Sequence, residues 1–383
     1  MLTRRKLTGL INVIVVMAIT TALTPAAGFA QEPVKIGFFG PLTGPSAQAG
    51  QALRNGAALA VDEINAAGGV DGKQLALVEY DDRSSPEQAV RSATKLVQVD
   101  RVAAIVGSLH SGNILAAGPT IEEAKTPLVG AGTSPTWLQK GYKYFFRALG
   151  NSQLSGQQLI KYALSQKFAN IAVFHSNDEY GNSGAKDFTK SATEAGLKIA
   201  LDESFTHGDR DFTGQIGKIV SSAPDAVFLW ALGDDLGPVT KQLRQLGYFG
   251  PILGPEGYTL PEALSISGST SDGVVFASQY LVPKTTADAT DPAMKTFLEA
   301  YEKKFGTMPA SDNAFRGYDA VKIIAEGIRS AKSIEGPKVR DAINSIADLK
   351  GIAGTFNFAG KQGEGIDAVR LYQIKDGAYS EIK

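Results

Sequence analysis

The stretch "VKIGFFGPLTGPSAQAGQALRNGAALAVDEINAAGGVDGKQLALVEYDD", residues 34–82, decides the fold. It opens on an apolar run, "VKIGFF", and continues into a segment where Leu53, Ala57, Val61 and Ile64 recur at the helical period. "NAAGGVDG" then supplies the glycines that end a helix in left-handed backbone, and "LALVEY" is a second apolar run. The order predicts a strand, a helix and a parallel strand. A helix from Pro86 to Val99 follows, with Ser85 as N-cap, Pro86 at the first position and Glu87 beside the positive helix end. The alternation goes on through "VAAIVG", "TPLVGAG", "ANIAVFHS", "DAVFLWALG", "GPILGPEG" and "GVVFASQY". Short apolar strands between amphipathic helices predict an α/β fold of parallel sheets covered on both faces.

The chain has 383 residues, too many for one typical domain, so two lobes are expected. Breaks in the pattern fall at "RALGNSQLSG" (147–156) and at the loop-rich "QYLVPKTTADATDP" (279–292), ahead of helices over 293–305 and 313–331. Residues 1–30 read as a leader: basic "MLTRRKLTG", apolar "LINVIVVMAITTAL", then small residues with cleavage after Ala30. A retained membrane anchor is the competing reading, and "TRRKLT" loosely resembles a twin-arginine signal. Removal of that segment takes away Arg4, Arg5 and Lys6 and no acid, moving the formal charge from −1 to −4. No basic excess remains to suggest nucleic acid or anionic lipid as a partner. The chain has no Cys, so neither a disulfide nor a lipid-modified cysteine is available to it. The expected mature protein is soluble and periplasmic.

Signals of catalysis are weak. His110, His175 and His207 are far apart in sequence, with no HExxH, no GxSxG elbow and no Walker A sequence. "GAGTSP" (130–135) has Pro135 where a dinucleotide loop needs its third glycine, and the acid pairs in "EYDD" and "DDLG" read as solvated turns. Neither an enzyme activity, a metal nor a cofactor is expected. The informative feature is that six runs end in small or polar residues, among them "IVGSLHSGN", "LVGAGTSP", "VFHSNDEYG" and "ILGPEGY". Any one of these is an ordinary strand-to-helix turn. Six together predict a cleft beyond the carboxyl ends of the strands, where open parallel sheets hold ligands. Ser111 and Thr133 offer hydroxyls to a carboxylate, Tyr180 a flat face with a donor, and Glu256 a partner for an ammonium group. Donors on one side and an acid on the other suit a zwitterion.

The stretches "GPLTGPSAQAG", "DEINAAGGVDGKQLALVEYDDRSSPEQAV", "VGSLHSGN", "GTSPTWLQKGYKYFFRALG", "DEYG", "DFTGQI", "GPEGY" and "YDAV", in this order and spacing, resemble the branched-chain amino-acid (Leu/Ile/Val) binding proteins of ABC importers. The likeness covers essentially the whole expected mature chain. It implies a type I periplasmic binding protein: two Rossmann-like lobes joined by a three-segment hinge and closing over a ligand. The implied division is lobe 1 over 31–152 plus 281–362, and lobe 2 over 153–280 plus 363–383. By position, Ser111, Ala131 and Thr133 match the residues that grip the ligand's α-carboxylate. Glu256, with Gly257 beside it, matches the acid that holds the ammonium, and Tyr180 matches the aromatic that closes from the second lobe.

The departures concern the ligand. Where the family carries aromatics around the side chain, this chain has Ala49, Leu232 and, at a less securely aligned position, Asn313; His110 and Ser84 stand where the family has a disulfide. A wall side chain that is absent must be replaced by ligand, water or a neighbour. The expected ligand is therefore an amino acid with a side chain larger than leucine's, aromatic or extended, with room for a polar group at Asn313 and His110. The expected partner is a membrane permease, and nothing demands more than a monomer. Two alternatives stand beside this: a binder of aromatic or keto carboxylic acids, and a ligand-sensing module. The final "LYQIKDGAYSEIK", without an output segment, favours transport over sensing.

Overall fold

A computed structural model describes residues 32–352 and 354–382. The expected leader, residues 1–30, lies outside the described residues. Five parallel strands form the first sheet: β1 (Val34–Gly40), β2 (Leu75–Asp81), β3 (Ala104–Gly107), β4 (Leu128–Gly130) and β5 (Phe145–Arg147), in the order β2-β1-β3-β4-β5. The second sheet draws on β6 (Asn170–Ser176), β7 (Lys198–Phe205), β8 (Ala226–Trp230), β9 (Ile252–Gly254) and β10 (Val275–Ser278). After a small hairpin, β11 (Leu349–Lys350) with β12 (Thr355–Phe356), come β13 (Arg370–Lys375) and β14 (Ala378–Ile382). They extend that sheet to the order β14-β13-β10-β9-β8-β6-β7, with β13 antiparallel to β10 and β14 antiparallel to β13.

Both sheets are buried on two faces, as the near-continuous apolar runs require. In β1, Ile36 and Phe38 enter one core and Phe39 enters the core on the opposite face. In β8, Val227 and Leu229 face one way while Ala226, Phe228 and Trp230 face the other. The chain passes between the two sheets three times: after β5, after β10, and between β12 and β13. Helices Pro292–Phe305 and Asn313–Ala331 return to the first sheet, and their Phe297, Leu298, Val321 and Ile324 complete its core.

Local chemistry sets the ends of these elements. Ser85 accepts from the Gln88 amide, with Pro86 and Glu87 in the first turn as the sequence implies. The α-helix they open ends at Thr94, and a wider π-type turn, Lys95–Asp100, carries it on. Helices Ala47–Ala66 and Asn313–Ala331 cross with backbones almost touching. A methyl group on Gly56 would overlap the Ala314 carbonyl, and one on Gly317 the Leu53 carbonyl. This contact sets the starts of both helices, and hence Ala49 and Asn313, against the same cavity. No helix among the described residues is long and apolar enough to cross a membrane.

One acid pair departs from the expectation of solvated turns. Asp82 is fully buried: it accepts the Ser108 hydroxyl at the end of β3 and the Ser84 amide at 3.0 Å. Asp81 holds the loop after β1, accepting the Leu42 amide at 2.9 Å, and these donors keep its carboxyl below the usual range despite partial burial. Both acids brace the strand-end loops.

Candidate ligand-binding site

The carboxyl ends of the two sheets face one cavity, which with its open mouth spans about 660 Å3. Its wall is built from the loops that follow β1, β3, β4, β8 and β9, from the start of helix Glu179–Glu194 and from the start of helix Asn313–Ala331. All ten residues singled out from the sequence border it: Ala49, His110, Ser111, Ala131, Thr133, Tyr180, Leu232, Glu256, Gly257 and Asn313.

Donors gather on the first-lobe side. Ser111 opens helix Ser111–Glu123, whose positive end favours an anion, and its Oγ accepts the Ser134 amide at 3.1 Å. That leaves the Ser111 hydroxyl proton free to donate, with Thr133 beside it in the wall. Close approach of these loops depends on Gly132, where a Cβ would lie 2.7 Å from Ser111 Oγ.

Opposite stands Glu256, opening a short 3-10 turn after β9. Its Oε2 accepts from the Tyr180 hydroxyl at 3.4 Å, and its Oε1 lies 3.9 Å from Arg316 Nη1. Arg316 is committed elsewhere, donating to Asp312 Oδ2 at 2.8 Å. Partial burial pushes the Glu256 carboxyl up, opposed in part by Arg316 and by a hydrogen bond with the Thr133 side chain. Burial likewise raises the Tyr180 phenol well above its ordinary value. Glu256 is therefore a largely enclosed acid whose nearest cation is shared and distant, a group that gains from an added cation. Arg316 and Asp312 escaped the sequence reading. The available signal was an arginine in "NAFRGYDAV", a helix whose neighbouring residues are nearly all buried and which leaves a guanidinium no route to water.

Polar contacts cross the cleft. Thr259 Oγ1 donates to Asp312 Oδ1 at 3.4 Å, and Ser134 Oγ to Glu179 Oε1 at 3.3 Å. The Gln48 amide, with its nitrogen turned to Glu262, donates at 2.9 Å. The lobes are thus in contact over the cavity.

The "DDLG" acids are not a solvated turn either. Asp235 is buried and accepts His207 Nδ1 at 2.7 Å, while Asp234 lies 3.7 Å from Nε2. His207, Asp234 and Asp235 thus form a group of metal-ligand types that the sequence spacing does not reveal. The hydrogen bond to Asp235 raises His207 from 6.5 to about 9, so at neutral pH both ring nitrogens carry protons and offer no lone pair to a metal. The pairing is an ion pair, and its sign is testable. The proton is held more tightly in the folded state, so its stabilisation is complete below pH 6.5 and disappears as pH rises through about 9. With partial solvent screening, the wild type should lose about 1–2 kcal/mol more than Asp235→Asn between pH 6.5 and 10. Urea unfolding at the two pH values measures this.

Residues 33–378 match the family model described as periplasmic binding protein. A leucine-, isoleucine-, valine-, threonine-, and alanine-binding protein of Pseudomonas aeruginosa is 33% identical over 326 residues, covering 83% of this chain and 85% of the relative. A leucine-specific-binding protein of Salmonella typhimurium is 30% identical, covering 87% and 89%. Among solved structures, the leucine binding protein LivK of Thermotoga maritima superposes with a TM-score of 0.83 at 28% identity, covering 91% of this chain and 98% of that one. These relatives are solute-binding proteins, not enzymes. The two-lobed α/β fold, the cleft at the strand ends and the similarity along nearly the whole described chain agree: the chain belongs to the periplasmic binding protein family, among its branched-chain amino-acid binding members.

Proposed function

We propose that this protein captures an α-amino acid with a side chain larger than leucine's in the interlobe cleft and delivers it to the membrane permease of an ABC importer. In this reading the protein is exported to the periplasm by the segment 1–30 and works as a monomer. Ser111, Ala131 and Thr133 take the ligand's carboxylate, Glu256 with Gly257 takes its ammonium, and Tyr180 closes from the second lobe. The hinge lies at the three crossings, near residues 152, 280 and 362. Closure is a population shift: a ligand touching both lobes favours the closed state by its extra contacts.

The observation that carries the proposal is the largely enclosed Glu256 carboxylate at the cavity wall, 3.9 Å from an arginine that Asp312 already holds at 2.8 Å. A ligand offering only a carboxylate would add a second anion beside it. Small Ala49 and the unpartnered Oδ1 of Asn313 support a larger, partly polar side chain. The test is a melting-temperature screen of protein refolded to strip carried ligand, against amino acids, aromatic acids and keto acids. A ligand at a hundred times its Kd should raise the midpoint by about 4 °C. Hits among amino acids larger than leucine are expected; hits confined to keto or aromatic acids would overturn the zwitterion reading.

A further inference from the structure

Beside the cavity lies a second one, and the two share four wall residues: His110, Ser111, Tyr180 and Leu232. The second also lies between the lobes, beside His110 and Leu232, and is bounded by Ser84 and Asn113 on one side and by Asp178, Glu179 and His207 on the other. What marks it is a set of polar atoms that the protein leaves unsatisfied. Among the described residues, His110 Nε2, Asn113 Nδ2 and Ser84 Oγ are buried with no hydrogen-bond partner. His110 is 7% exposed and Asn113 2%. A buried donor without an acceptor is costly enough that folded proteins seldom keep one, and three around one space point to a missing polar occupant.

We propose that this second chamber receives the far end of the ligand's side chain, and that this end is a neutral group with both a hydrogen-bond acceptor and N–H donors, such as a primary amide or a urea. The proposal rests on the α-amino-acid reading of the first cavity. Leu232 separates the chambers, so the stem passing it is apolar and the polarity lies at the tip. Asn113 Nδ2 needs an acceptor, which neither an ammonium nor a guanidinium supplies. Asp178 and Glu179 face the chamber together with the cationic His207, which Asp235 holds at 2.7 Å, so a tip of either charge would be desolvated there without a free counter-ion. Both carboxylates are engaged, Asp178 by the Gly181 amide at 2.8 Å and Glu179 by the Ser134 hydroxyl at 3.3 Å, so they do not call for a cation of their own. Burial lowers the His110 pKa and keeps the ring neutral, so Nε2 can accept from or donate to the tip according to tautomer.

The test is calorimetric titration of the ligand-free refolded protein with leucine, norleucine, glutamine, citrulline, glutamate and lysine. Citrulline or glutamine should bind at least about tenfold tighter than norleucine, since a site built to hydrogen-bond rejects the analogue that cannot. Glutamate and lysine should bind more weakly than norleucine. In Asn113→Leu, and independently in Ser84→Ala, the preference for the amide or urea over norleucine should shrink about fivefold. Leucine or norleucine binding as tightly as both amides would overturn the proposal while leaving the amino-acid reading intact. Lysine or glutamate binding tightest would overturn it too, as would an unchanged preference in both variants. Binding of none of the six would overturn this proposal, while the amino-acid reading itself is decided separately by the melting screen, which includes the aromatic amino acids.

Discussion

Glu256→Gln is expected to weaken α-amino-acid binding about a hundredfold while leaving the unliganded fold at least as stable as the wild type. The two halves of this result share one cause. Glu256 is largely enclosed, its side chain 15% exposed, and the nearest cation, Arg316, sits 3.9 Å away and is held by Asp312 at 2.8 Å. Burial therefore raises the Glu256 pKa. For an acid, a raised folded-state pKa means that the folded protein binds the proton more tightly than the unfolded chain does. The charged form then costs stability as pH rises from the acid range toward neutrality. Glutamine keeps the shape and the acceptor for the Tyr180 hydroxyl but removes that cost, so the melting temperature of the empty variant should be unchanged or higher. With ligand the sign reverses, because an ammonium beside Glu256 turns the uncompensated anion into a buried, charge-assisted pair. Titration calorimetry and melting of both proteins, with and without ligand, check the two signs together. A variant that keeps wild-type affinity for amino acids would remove Glu256 from the recognition of the ammonium group.

The parts of this molecule that were legible in the sequence are those in which one local pattern determines one structural fact. Apolar runs such as "VKIGFF" and "ANIAVFHS" are strands buried on both faces, and Ser85-Pro86-Glu87 opens a helix where its chemistry requires. Strand ends rich in small and polar residues converge because parallel strands all deliver their carboxyl ends to the same edge. What stayed hidden depends on partners brought from far along the chain. Asp82 reads as a surface acid until Ser108, 26 residues on, donates to it with both side chains fully buried. His207 is unremarkable until Asp235 meets it. The chambered shape of the cleft is illegible for the same reason: Ser84, Asn113 and Glu179 come from three separate segments, and what matters is that Ser84 Oγ and Asn113 Nδ2 find no partner there.

Arg147→Met is expected to cost about 3–5 kcal/mol of stability, more than a surface arginine could. Arg147 ends β5, is fully buried and faces neither water nor the cavity. Its Nε donates to Glu364 Oε2 at 3.0 Å, its Nη2 to the Ser134 carbonyl at 2.7 Å and its Nη1 to the Gly132 carbonyl. The guanidinium also lies 4.2 Å from the centre of the Trp137 ring. Methionine fills the volume but supplies no donor, so two buried carbonyls and one carboxylate lose their partner at once. The midpoint should fall by about 4–7 °C for a chain of this length. Because both carbonyls flank Thr133, affinity for ligand should drop about tenfold as well, although Arg147 never touches the cavity. Arg147→Lys separates charge from geometry: it keeps the cation but has no rigid fork to span two carbonyls, and should fall between methionine and the wild type. Glu364→Gln should cost far less, since Glu364 is 23% exposed in its side chain and keeps an amide donor in Asn151 at 3.1 Å. A methionine variant that melted like the wild type would mean that the loop carrying Thr133 holds its shape unaided. If the lysine variant matched the methionine one, the fork would matter and the charge would not; if it matched the wild type, the reverse would hold.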